Sequence, residues 1–94
     1  MKKSNRPRIE IHYCTKCRFI VRANWLAQEL LMTFNDKIGE LALIPTSDGE
    51  FTIICDGIEM FSRKAEGRFP ESKELKQLIR DKIDPNFLLG HSDE

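Results

Sequence analysis

Cys14 and Cys17 are the residues of this chain best suited to chemistry. They stand three positions apart at the end of the run Ile9-Glu10-Ile11-His12-Tyr13-Cys14-Thr15-Lys16-Cys17. Two cysteines at that spacing can be a redox couple, half of a metal site, or two small core side chains. A redox couple needs one sulfur held as a thiolate, the nucleophilic form, and a second sulfur close enough to bond to the first. Here the residues before the pair alternate like a strand and those after it repeat with a helical period. The pair is therefore expected where a strand's C-terminal end turns into a helix N-terminus. The unpaired N–H groups and partial positive charge of a helix end favour an anion, lowering a cysteine pKa from about 8.5 toward neutrality. Lys16 and Arg18 add positive charge in the same turn.

A metal site is the weaker alternative. Zinc takes four ligands, and beyond the pair the chain offers Cys55, His12 and His91 with no second paired motif. Cys55 falls on the apolar side of its strand and reads as a small core side chain, with a third redox role as the minor reading. His12 falls on the face opposite Ile9 and Ile11. It reads as a half-exposed strand residue, the alternative being a proton relay or a lowered thiol pKa next door. Tyr13 and Trp25 read as core aromatics, although Trp25 sits off the main stripe of its helix, the alternative being that it lines a docking surface.

The elements that must position the pair follow from periodicity and turn chemistry. Ile9, Ile11 and Tyr13 alternate with Glu10 and His12, which predicts a strand over 9–13. Ile20, Ala23, Ala27, Leu30, Leu31 and Phe34 recur at three-to-four spacing, which predicts a helix from Cys17 to Phe34, ended by Asn35-Asp36-Lys37 and Gly39. A short strand over 41–44 is expected to stop at Pro45 and Ser47-Asp48-Gly49. Phe51 to Cys55 alternates again, and Asp56-Gly57 predicts a hairpin into a strand over 58–62. Residues 63–68 read as a polar loop. A second helix is expected from Pro70, with a stripe of Leu75, Leu78, Ile79 and Ile83, stopped before Pro85. The order is β-α-β-β-β-α, an α/β two-layer sandwich with a mixed sheet, the first two strands parallel through a right-handed crossover. Residues 1–94 read as one domain, with 1–7 and 87–94 as loosely docked tails.

Composition narrows the function classes. Apolar residues make up 40% and charged residues 32%, the balance of a globular protein. Fifteen basic and fifteen acidic groups give a net charge of zero, so no global field gathers nucleic acid. Membrane association is also not expected, because the longest apolar runs fall far short of a span. The basic N-terminal segment precedes no apolar run, and three cysteines are an odd count. Together these predict a cytoplasmic protein with free thiols rather than a disulfide framework.

The cysteine pair, helix and later loops together resemble the selenoprotein W-like (Rdx) family, the group that includes selenoproteins T and H. The matching stretches are Ile11-His12-Tyr13-Cys14-Thr15-Lys16-Cys17, then Arg22-Ala23-Asn24-Trp25-Leu26-Ala27-Gln28-Glu29-Leu30-Leu31. Ser62-Arg63-Lys64 with Gly67-Arg68-Phe69-Pro70-Glu71 follows, then Ile79-Arg80-Asp81 and Leu89-Gly90-His91-Ser92-Asp93. The chain looks like a cysteine-containing member of bacterial type. The resemblance implies a thioredoxin-like fold and a thiol–disulfide oxidoreductase acting on thiol or disulfide proteins. No tightly bound cofactor is implied, and glutathione is a candidate reductant. Selenoprotein members carry selenocysteine at the motif's second position, here Cys17, which makes Cys17 the reactive group by family logic. Helix-end exposure instead favours Cys14 as attacker, so both are kept as catalytic candidates, with Cys14 slightly ahead. Two other functions stay open: a protein-binding module whose cysteines sense redox state, and a zinc-clip domain. Ile44-Pro45-Thr46 is similar to the cis-proline loop of thioredoxins, yet a turn follows it, so Pro45 is read as a strand terminator.

Overall fold

The computed structural model describes residues 6–90, so the candidate ligand His91 lies outside the described residues. The first strand, β1, runs from Arg8 to Cys14, and Ile9 and Ile11 on its inner face are completely buried. A loop over Thr15–Phe19 leads into helix α1, Ile20–Phe34. The helix thus starts three residues later than periodicity predicts. Arg18 takes a left-handed conformation, φ 60°, which cannot continue a right-handed helix. Ala23, Leu26, Ala27, Leu30 and Phe34 form the buried stripe. Asn35, at φ 51°, ends the helix in a single 3₁₀ turn over Asn35–Lys37.

Gly39 has a different task from the capping expected of it. A Cβ there would stand 2.8 Å from the Arg6 carbonyl oxygen, so only glycine lets the chain pass its own N-terminal segment. Its amide donates to the Pro7 carbonyl at 2.8 Å. Strand β2 then spans Glu40–Thr46 and pairs parallel with β1, as the crossover requires, with Ile11 opposite Leu43 and Cys14 opposite Thr46. Pro45 lies inside this strand rather than ending it. The strand sits at the sheet edge, where a missing backbone donor leaves no central ladder bond unmade. Every peptide bond among the described residues is trans.

Strands β3, Phe51–Cys55, and β4, Ile58–Ser62, form the expected hairpin through Asp56 and Gly57, both at positive φ. The sheet order is β2-β1-β3-β4. The segment read as a polar loop contains a one-turn helix, α2, Arg63–Glu66, capped by the Ser62 hydroxyl and closed by Gly67 at φ 74°. Helix α3 spans Ser72–Ile83, two residues later than Pro70 suggested. Pro70 is buried, and Glu71 is the cap, its amide donating to the Glu74 carboxylate at 3.2 Å. Both long helices cover one face of the sheet, sealing a core of Phe34, Phe51, Ile53, Leu75 and Ile79. Phe87 packs its ring against Phe34 at 5.8 Å, and Leu89 joins the same cluster. No helix of the described residues is long and apolar enough to cross a membrane.

Candidate functional site

The split of β2 and β3 around β1 builds the site. Because these two strands flank β1, the connection between them must cross the end of β1, where Cys14 sits. Ser47-Asp48-Gly49-Glu50 makes that crossing as a tight turn, the Glu50 amide donating to the Ser47 carbonyl at 3.2 Å. Asp48 and Gly49 both have positive φ, 61° and 74°, a conformation that favours Asp and Gly at these positions. Glu50 accepts from the Cys14 amide at 2.8 Å, and Thr46 from the Thr15 amide at 3.2 Å. The turn therefore closes over Cys14, which is 2% exposed although it ends a strand.

Cys17 folds back onto Cys14. The Thr15–Phe19 loop is pinned by Arg18 and Phe19 amides donating to the Thr15 and Cys14 carbonyls at 3.0 and 3.3 Å. Both thiols are free, Cys14 buried and Cys17 exposed. The Cys17 thiol donates to Cys14 Sγ at 2.8 Å. This donated proton is the main reason the Cys14 thiol is held below the ordinary cysteine range. Burial opposes the shift, while the amides of Gly49, Cys17 and Lys16 assist it. Cys17 is pushed up, first because its proton is committed to Cys14, then by desolvation and by the charge on Cys14. The Gly49 amide and the Arg63 charge act on Cys17 in the opposite direction. The first proton to leave the pair therefore comes from the inner sulfur, and the one that remains is held by the outer.

Two premises of the sequence reading change. The cap of α1 is Phe19, so Cys17 stands in the loop before the helix, and turn amides, not the helix start alone, hold the anion. Cys14 is the buried sulfur, so exposure favours Cys17. The cation acting on Cys17 is Arg63 from α2, while Lys16 and Arg18 are exposed. Sequence reasoning gave neither Gly49 nor Arg63 a role at the pair; Arg63 stood only in a family-like stretch, and Asp48-Gly49 was legible as a turn, but nothing local says where that turn lands. The Thr46 hydroxyl, on the residue paired with Cys14, is the one buried side-chain polar atom without a partner among the described residues.

The other candidates fall elsewhere. His12 Nε2 lies 2.8 Å from Glu10 Oε1, and Nδ1 lies 3.9 Å from Glu50 Oε2, so carboxylates on the outer sheet face hold the ring. Cys55 is opposite Ile9 at the far end of β1, completely buried, and desolvation pushes its thiol up. Among the described residues no three His, Cys, Asp or Glu side chains gather as a metal site would require. Trp25 is not a core residue: it is 53% exposed and lines a surface groove of about 410 Å³ with Ile20, Val21, Asn24 and Gln28. Its helical position is turned away from the Ala23–Leu30 stripe that the sheet covers. Phe69 of the Gly-Arg-Phe-Pro loop meets Phe19 and Phe51 edge to face at 4.9 and 5.3 Å, bracing the cysteine loop from below. Arg68 of the same loop grips Glu74 with its two terminal guanidinium nitrogens, Nη1 and Nη2, at 2.8 and 2.6 Å.

A two-layer sandwich with a CxxC pair at the end of its first strand is a thioredoxin-like architecture. The chain belongs to the Rdx family, whose profile matches residues 8–81. It is similar to the crystal structure of a selenoprotein W-related protein from Vibrio cholerae, at 50% identity and a TM-score of 0.83, covering 85% of this chain and 100% of that one. It is also similar to a Bordetella parapertussis protein, at 48% identity and a TM-score of 0.82, covering 84% and 100%. Among curated proteins none matches.

Proposed function

We propose that this chain is a cytoplasmic thiol–disulfide oxidoreductase in which Cys17 attacks and Cys14 serves first as base and then as resolving nucleophile. The observation that carries the reading is the 2.8 Å contact between one exposed and one buried sulfur. As Cys17 attacks a substrate disulfide RS–SR′, its proton passes to Cys14, the Cys17–SR bond forms, and R′S⁻ leaves. Cys14 then attacks the Cys17 sulfur. The intramolecular disulfide forms and RS leaves with the Cys14 proton as RSH. The substrate gains two electrons and the protein loses two. Two equivalents of a small thiol, glutathione being the candidate, reverse the oxidation. The substrates are thiol or disulfide proteins rather than nucleic acids, a choice supported by zero net charge.

Trapping tests the assignment. Cys14→Ser is expected to accumulate a mixed disulfide at Cys17 on exposure to oxidised glutathione, seen by mass spectrometry, whereas Cys17→Ser is not. The reverse pattern would exchange the two roles. Failure of the parent protein to form a Cys14–Cys17 disulfide in any glutathione redox buffer would dispose of the redox reading altogether.

A further inference from the structure

Arg63 opens α2, far from the cysteines in sequence yet beside them in space. Its Nη1 donates to the Gly49 carbonyl at 3.3 Å. Its guanidinium carbon lies 5.3 Å from the Phe19 ring centroid and 5.1 Å from that of Phe69, both distances at which a cation is attracted to an aromatic face. The half-buried head is thus held by the turn above the pair, by the last residue of the cysteine loop, and by the Gly-Arg-Phe-Pro loop. It makes no ion pair with a carboxylate among the described residues, unlike Arg8, Arg68 and Arg80.

Gly49 links this head to the sulfurs. Its carbonyl faces Arg63, and its amide, on the neighbouring peptide plane, belongs to the turn that closes on Cys14 through the bond from the Cys14 amide to the Glu50 carbonyl. The direction in which that amide draws both thiols agrees with its lying beside the sulfurs. A two-residue turn with both central φ values positive leaves little freedom to satisfy one plane without orienting the other. A Cβ on Gly49 would stand at ordinary contact distance, 3.6 Å, from Arg63 Nη1, so the guanidinium lies directly against the turn.

We propose that Arg63 is a positioning residue for the cysteine pair, holding the Ser47–Glu50 turn so that the Gly49 amide stays aimed at the sulfurs while its own charge faces Cys17. Two effects then act together. The fixed amide stabilises whichever sulfur carries the charge, and the cation favours moving that charge outward to Cys17, the form that attacks. The direction of the Arg63 charge effect on Cys17 agrees with this placement. The inference rests on the thiol-redox reading of the pair, but its test does not.

The test uses the full chain carrying Cys55→Ala, so that only the pair reports, and follows iodoacetamide alkylation against pH. Arg63→Gln loses the charge and, being shorter, the contact with the Gly49 carbonyl. It is expected to shift the profile to higher pH and to slow alkylation at pH 7 by about threefold to tenfold. Arg63→Lys, with the charge but without the planar fork, is expected to recover part of that loss. The Gly49 amide NMR resonance should follow the thiol titration in the parent and follow it less in Arg63→Gln. Phe69→Leu, which loosens the guanidinium seat without changing a charge, should shift the profile in the same direction by less. Folded variants whose alkylation profiles and Gly49 titration coincide with the parent would overturn the positioning role. A parent that alkylates normally but never forms its disulfide would sink the redox reading and leave this test standing.

Discussion

Cys14 and Cys17 differ in exposure, and that difference assigns their chemistry. A proton shared between two sulfurs makes their ionisations a property of the pair, the first step drawn down and the second pushed up. Replacing either cysteine by serine removes the coupling. Each single variant should therefore titrate in one step lying between the parent's two, and alkylate more slowly than the parent at neutral pH. A pH profile of alkylation rate checks this, and a variant that keeps the parent's early step would refute it. Cys55 is predicted to behave oppositely. Burial raises its thiol, so it should resist alkylation until the protein unfolds. Cys55→Ser should cost about 1–3 kcal/mol in urea unfolding by burying a hydroxyl among apolar neighbours. The core role of Cys55 was legible because its strand alternates. The burial of Cys14 was not, because nothing in Ile9–Cys17 reveals the turn that closes over it.

At the scale of elements, strands announced themselves and helix starts did not. The alternation of β1 and β3 and the Asp56-Gly57 hairpin are local signals, and local hydrogen bonding realises them. The start of α1 slipped because Arg18 adopts a left-handed turn to bring Cys17 back over Cys14. Helix α2 was missed although Ser62 is a proper cap, because one turn of helix carries no periodicity to read. The start of α3 yields a pH prediction. Arg68 holds the Glu74 carboxyl below its ordinary value of 4.5, so the folded state binds its proton less tightly than the unfolded chain does. The stabilisation is therefore full above pH 4.5 and is lost as pH falls through the lower folded value. Glu74→Gln should cost roughly 0.5–1 kcal/mol at neutral pH through loss of the ion pair, since the amide oxygen still accepts from Glu71, and less in acid. Urea titrations at pH 7 and pH 3 measure the difference; an equal cost at both would refute it.

For the molecule as a whole, one core under one sheet face carries the stability. Leu30→Ala, at a completely buried position, should lower unfolding free energy by about 2–5 kcal/mol. It should leave the alkylation rate of the folded pair unchanged, since α1 packs on the sheet and the sulfurs sit at its end. A parallel loss of thiol reactivity in folded protein would contradict that separation. The residue order alone carried the class of fold, the parallel first pair of strands and the candidate cysteines, because periodicity, turn chemistry and the three-residue spacing act over short range. Trp25 shows the limit of that reasoning: its size suggests burial, yet the helix face is chosen by the sheet it meets, and that choice leaves it in solvent. Which sulfur is covered, which amide reaches it and which arginine stands beside it were decided only when β2 and β3 closed around β1. Gly49 and Arg63 arrive at Cys17 through pairings 32 or more residues apart in the chain, and contacts of that range leave no imprint on local pattern.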